Sequence, residues 1–227
     1  MSQQFLKLIQ RGATAEIADA VAGDPSLLTW RDPQGVSPLI WSIYTGQPLV
    51  RDYLMAEKSR LGQLPDIFEA SAAGDALTLR QILNETPQAL HDFSGDGWTP
   101  LHLASAFGTP DTVRLLLENG AQVDAVSRNP QTNQPLHAAL ALGRNPETIR
   151  LLLDAGANPN TRQTAGFTAI FSAAAANRRD LVELLIAHGA DPAISSDLGQ
   201  TAAGYARERG HAELADWLES QTANPQP

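Results

Sequence analysis

The sequence predicts an all-α fold, a solenoid of about seven short helix pairs stacked side by side, and three observations lead to it. The stretch Gly97-Trp98-Thr99-Pro100-Leu101-His102-Leu103-Ala104 reads as a helix start. Thr99 offers a hydroxyl to an orphan backbone N–H, and Pro100 follows where no donor is needed. Turn-forming residues then recur at Gly12, Gly46, Gly74, Gly108, Gly143, Asn177 and Gly210, at intervals of 34, 28, 34, 35, 34 and 33 residues. Finally, each predicted helix is too short to bury its apolar stripe alone. A pair therefore needs neighbours, which is the physical reason for repetition.

The elements follow in order. The first pair, 2–22, lacks a Thr-Pro start and carries Gln3, Gln4, Lys7, Gln10 and Arg11, with Ile17, Ala20 and Val21 inward. That pattern suits a terminal cap with one wet face. The second pair, 36–56, opens with Ser37-Pro38-Leu39, serine being as good a cap as threonine. The third, 64–84, holds Ile67, Phe68, Ala70, Leu79, Ile82 and Leu83, and the 28-residue interval before it leaves no room for a hairpin. A kink or a weaker interface is expected at 56–66. The fourth, 98–119, runs from Thr99 to a left-handed stop at Gly108, then restarts at Thr109-Pro110 with Val113, Leu116 and Leu117 as its stripe.

The fifth pair, 133–155, opens at Gln134-Pro135-Leu136-His137 and has one extra residue before the cap Asn145-Pro146. The sixth, 167–188, and the seventh, 200–221, start at Thr168 and Thr201 with alanine in place of proline. Segments 120–124, 156–160 and 189–192 read as short β-hairpin or turn linkers. Glu208, Arg209, His211, Glu213, Asp216 and Glu219 make the last pair a polar cap. The expected organisation is a single domain, 1–221, with a short flexible tail at 222–227.

Thr99 to Ala104 matches the Thr-Pro-Leu-His-x-Ala signature, and residues 134–139 come close to it. With the phased turn residues, the chain resembles ankyrin-repeat proteins over about residues 3–221, most strongly over 97–192. The resemblance implies a binding scaffold whose first helices and linker tips line a concave side. It also implies that His102 and His137 bond neighbouring backbone.

Composition narrows the chemistry. A net charge of −9, from 25 acidic and 16 basic residues, repels phosphate backbones and argues against nucleic acid as a partner. The chain has no cysteine, so thiolate catalysis and cysteine metal sites are excluded. No two of the five histidines have the i, i+4 spacing of a helical metal pair. No G-x-S-x-G, phosphate-binding glycine loop or H-E-x-x-H occurs. No cofactor and no enzymatic activity are expected. Residues 1–12 form an amphipathic helix rather than a secretory leader, and no run is long enough to span a membrane. The reading is a cytoplasmic monomer.

The slots that face a concave side in the family give Tyr44 and Thr45, then Phe93, Asp96, Trp98 and Phe107. Further on they give Arg128, Gln131, Asn133 and Leu142, then Arg162 and Phe167. Aromatic rings with an arginine rim suit the centre of a protein interface. The expected partner-binding set is Tyr44, Phe93, Asp96, Trp98, Phe107, Arg128, Leu142, Arg162 and Phe167, while Trp41, Ile43, Tyr205 and Trp217 are assigned to packing. The expected function is to bind another protein, as adaptor or inhibitor; the alternatives are an immunity-type protein that neutralises a toxin and, behind it, an enzyme with an unrecognised groove site. An acidic chain favours a basic partner.

Overall fold

The computed structural model describes residues 2–143 and 145–223. These form fourteen α-helices with no strand among the described residues, falling into two compact units, Met1–Ala121 and Gln122–Pro227. The first unit holds α1 (Ser2–Gln10), α2 (Thr14–Gly23), α3 (Pro38–Tyr44), α4 (Pro48–Arg60), α5 (Ile67–Ala73), α6 (Ala76–Glu85), α7 (Pro100–Phe107) and α8 (Pro110–Glu118). The second holds α9 (Pro135–Ala138), α10 (Pro146–Asp154), α11 (Ala169–Ala175), α12 (Arg179–Ala187), α13 (Ala202–Glu208) and α14 (Ala212–Ala223). Residues 222 and 223 of the expected tail belong to α14, and 224–227 lie outside the described residues.

The helix starts follow the chemistry of their caps. Ser37, Thr99, Thr109, Asn145 and Thr201 each accept a backbone N–H from the first turn that follows. Proline occupies the first helical position of α3, α4, α7, α8, α9 and α10, where its missing donor costs nothing. Thr168 departs from the pattern: α11 starts after it, but its buried hydroxyl makes no bond.

The expected linkers at 120–124, 156–160 and 189–192 are turns without strand, and the tips ahead of the first helices are each closed by a backbone bond across their base. In the first unit these run from Asp32 N to Val36 O at 3.1 Å and from Ser94 N to Trp98 O at 2.8 Å. In the second unit they join Ser127 to Asn133, Gln163 to Phe167 and Ser196 to Gln200. Short turn bonds such as Gly35 N to Asp32 O and Gly97 N to Ser94 O complete the tips, and in the second unit Thr164 N donates to Gln131 O and Asp197 N to Ala165 O between successive tips, too few bonds to make a strand.

Two details differ from the expected geometry. Gly108 is not left-handed; its φ is −77° and ψ −152°. A Cβ there would stand 2.5 Å from the Ser71 carbonyl and 2.7 Å from Thr112 Oγ1, so glycine is needed for close approach rather than for positive φ. Asn177, by contrast, does adopt φ +53°. The extra residue of the fifth pair is absorbed where α9 widens into a π turn over Ala139–Gly143, the usual way a helix accommodates one surplus residue.

The core of the first unit begins with Phe5, Ile9, Ile17, Val21, Leu28, Leu39, Val50 and Leu54, all buried, each contributing about 1.5–3 kcal/mol through removal from water. At the joint 56–66, α4 continues to Arg60, the chain turns at Gly62, and Asp66 caps α5 in a capping box with Glu69. In place of a tip the joint holds a buried ion pair. Lys58 Nζ donates to Glu69 Oε2 at 2.7 Å, the two residues being 2% and 0% exposed. Arg31 adds a bridge to Asp66 at 2.7 Å and lies 3.7 Å from Glu69 Oε1.

Because the α5–α6 pair has no tip, the tips before α3 and α7 lie against each other. A Cβ on Gly95 would fall 2.1 Å from the Gln34 carbonyl and 2.7 Å from Gly35 Cα, so two side-chain-free backbones meet there.

Candidate functional site

The tip contact creates the most developed surface of the first unit. The buried residues Val36, Ile40, Ala72 and Leu103 form a floor on which Trp41, Ile43, Tyr44, Phe68, Trp98 and Phe107 sit half-buried. The α5 contribution is small because alanine occupies its last turn. Rings from α3 and α7 can therefore meet across it. Tyr44 and Phe107 have centroids 5.2 Å apart, and Phe107 stacks on Trp98 at 6.2 Å with 26° between planes. Trp41 meets Tyr44 edge-on at 6.1 Å. Separations of this kind are favourable for aromatic pairs.

Polar bonds fix the rings. The Tyr44 hydroxyl donates to Asp96 Oδ2 at 2.6 Å, joining positions 52 residues apart. Ser94 Oγ donates to Asp96 Oδ1 at 2.6 Å and accepts from Trp98 N at 3.0 Å, so one serine shapes the tip and aims the carboxylate. Burial first, and then the Asp96 charge, pushes the Tyr44 hydroxyl well above the ordinary tyrosine range. Across the other tip, Asp32 accepts from Gln34 N, Val36 N and Trp41 Nε1.

Of the expected residues, the structure thus brings together Tyr44, Asp96, Trp98 and Phe107. Phe93 is half-buried just ahead of the same tip. The remaining four belong to the second unit. Phe167 packs on Phe171 at 5.0 Å and on Tyr205 at 5.4 Å. Leu142 is 52% exposed, and Arg128 is exposed. Arg162 is engaged with the next tip, donating to Ser195 O at 2.8 Å and Asp197 Oδ1 at 2.7 Å. Asn133, another expected slot, is buried beneath its own tip.

Tyr205, which packs on Phe167, and Arg209, which packs on Tyr205, are assigned by sequence to packing and to the polar cap. Tyr205 is half-buried against Phe167, and the Arg209 guanidinium lies 4.8 Å from the Tyr205 ring centroid while donating to its hydroxyl at 2.7 Å. The four-residue spacing of Tyr205 and Arg209 on one helix was the available signal.

The two motif histidines serve structure. His102 Nδ1 accepts from Thr99 N, and His137 Nδ1 accepts from Gln134 N while Nε2 donates to Thr161 O at 3.1 Å. Burial lowers the His137 pKa to about 4, against smaller opposing effects of the Thr161 carbonyl and Asp124. Among the described residues no three histidine or carboxylate groups are placed to hold a metal ion. Nor is any described helix long and apolar enough to cross a membrane.

Short capped helix pairs, tips closed by backbone bonds, and motif histidines bonding backbone define a repeat scaffold. The family model for ankyrin repeats (3 copies) matches residues 67–163 and 141–226, and the chain belongs to the ankyrin-repeat family. It is similar to a putative ankyrin repeat-containing protein of Treponema pallidum, 39% identical over 120 residues, covering 52% of this chain and 39% of the relative. Ankyrin repeat and SOCS box protein 16 of Mus musculus is 37% identical over 110 residues, 45% of this chain and 24% of that protein. The ANK repeat-containing protein nipk-1 of Caenorhabditis elegans is 27% identical over 209 residues, 86% of this chain and 31% of its own length. The matched part of this chain thus spans well under half the length of each of these relatives. Ankyrin repeats are protein–protein interaction modules, generally without catalytic activity.

Proposed function

We propose that the chain binds another protein through the aromatic surface of its first unit, with Tyr44, Trp98 and Phe107 as the anchors. The observation that carries this reading is a set of half-buried rings held over a buried floor and fixed by Asp96. Rigid rings lose little conformational entropy on binding, and interface centres are enriched in tryptophan and tyrosine. Phe93 extends the surface. In the second unit, Phe167, Leu142 and Arg128, joined by Tyr205 and Arg209, provide further contacts, while the Arg162 guanidinium holds two tips together.

The partner is a protein with a basic face, and the role is that of an adaptor or inhibitor acting in the cytoplasm. The net charge of −9 supports a basic partner. The same charge favours, as a second reading, an immunity-type role against a basic toxin.

The test is to cross-link the protein in its native cell, identify the bound chain, and measure the purified complex by calorimetry. Replacing Trp98 and Phe107 by alanine should weaken binding by about 2 kcal/mol or more with helicity unchanged. Unchanged affinity would remove this surface from the proposal.

A further inference from the structure

The first helix pair carries a groove on its far side. Helices α1 and α2 pack on α3 and α4 through one face, where Ile17 and Val21 of α2 are buried. Between α1, α2 and the turn at residues 25–28 lies a groove of about 700 Å³, within the range of sites that take a ligand or a peptide side-chain cluster. Its floor is apolar: Phe5, Leu8, Ala20 and Leu27. Its rim is acidic, formed by Glu16, Asp19 and Asp24, and no lysine, arginine or histidine lines it. Positions 16, 19, 20 and 23 share one stripe of α2, so carboxylates and floor are presented together along the helix.

We propose that this groove is a second docking site, independent of the aromatic surface, and that it takes an amphipathic helix carrying lysine or arginine beside its apolar stripe. Charge complementarity selects the occupant. An apolar floor alone would accept any greasy segment, whereas Asp19 and Asp24, with Glu16 shared between the rim and Arg11, leave it net acidic, so it disfavours an acidic segment and steers a basic one. Gln4, Phe5 and Leu8, about one turn of α1, face residues 16 to 24 of α2 and its end across the groove, a span that one to two turns of a docked helix would fill. The rim groups are within reach of such a partner. Glu16 and Asp19 are exposed, with Arg11 paired to Glu16, and Asp24 accepts from Ser26 N and Ser26 Oγ while partly open to solvent.

The probe is a synthetic helical peptide with leucines at i, i+3, i+4 and i+7 flanked by lysines, measured against the full chain by calorimetry at low and high salt. A control peptide carries glutamate in place of each lysine. The lysine peptide should bind about tenfold or more tighter than the control, and the difference should shrink with added salt. The double variant Glu16→Lys, Asp19→Lys should reverse the preference. Leu8→Gln should weaken the lysine peptide, whereas Trp98→Ala should leave it unchanged. Circular dichroism of each variant checks folding, and the single Asp19→Asn variant, with its smaller loss, keeps the test available should the double variant unfold. Absence of binding, equal binding of the two peptides, an affinity indifferent to the rim substitutions, or loss of binding in Trp98→Ala would each overturn the proposal.

Discussion

Lys58 to methionine is the most informative single perturbation of the fold. It removes a cation that is 2% exposed and leaves Glu69, fully buried, without its 2.7 Å partner. Breaking one side of a buried pair costs about 3–5 kcal/mol, because the stranded charge has neither water nor a counter-ion. Here the lower end applies. The Asp66 N–H still donates to Glu69 Oε2 at 3.1 Å, and Arg31 stands 3.7 Å from Oε1. The expected loss is therefore about 3 kcal/mol. Adding Glu69→Gln removes the stranded charge while keeping an oxygen for the cap, so the double variant should recover about 2 kcal/mol of that loss. Urea unfolding followed by tryptophan fluorescence measures both, with hydrogen exchange at residues 48–85 reporting whether the loss is local. A Lys58→Met cost below about 1 kcal/mol, or a double variant whose loss equals the sum of the single losses, would refute the claim that this pair holds the tipless joint.

Three further outcomes follow from the geometry. Gly108→Ala should cost more than Gly120→Ala in thermal unfolding, about 2–3 against about 1 kcal/mol, because the first Cβ meets the Ser71 carbonyl while the second meets only its positive φ; the reverse order would restore the left-handed explanation. His137 has a folded pKa near 4, below its unfolded value of 6.5, so the unfolded chain binds more protons between those values. Stability is then fully present above about pH 6.5 and falls by up to about 3 kcal/mol as pH drops through 4, a slope that His137→Gln should flatten in pH-dependent urea curves. In an alkaline absorbance titration of the three tyrosines, Tyr44 should stay protonated well past the ordinary tyrosine range, and Tyr44→Phe should leave the observed amplitude below pH 12 unchanged.

Much of the scaffold was readable because its signals are local. A hydroxyl or amide followed by proline marks a helix start within four residues, and Ser37, Thr99, Thr109 and Asn145 behave accordingly. The meeting of Tyr44, Asp96, Trp98 and Phe107 was partly readable, since their slots were assigned to one face. The reason they touch was not, because it depends on a missing tip two helices away. Arg162 looked like a rim cation, but its partner Asp197 lies 35 residues on, in the following tip. Gly108 was assigned a conformation when its constraint is a neighbour's carbonyl. Lys58 gave a usable hint, being a lone lysine on the inward stripe of α4, a position it could hold only with a buried partner.

The touching tips also decide how this surface could be reused. Consensus repeats are often shuffled one unit at a time, since each addresses only the unit beside it. Here a hydrogen bond and a ring contact join helix pairs that are not successive, so a single transplanted unit would carry half of each interaction and none of the closure. Moving the aromatic surface to another scaffold requires the whole block from Asp32 to Phe107, the shortened pair included.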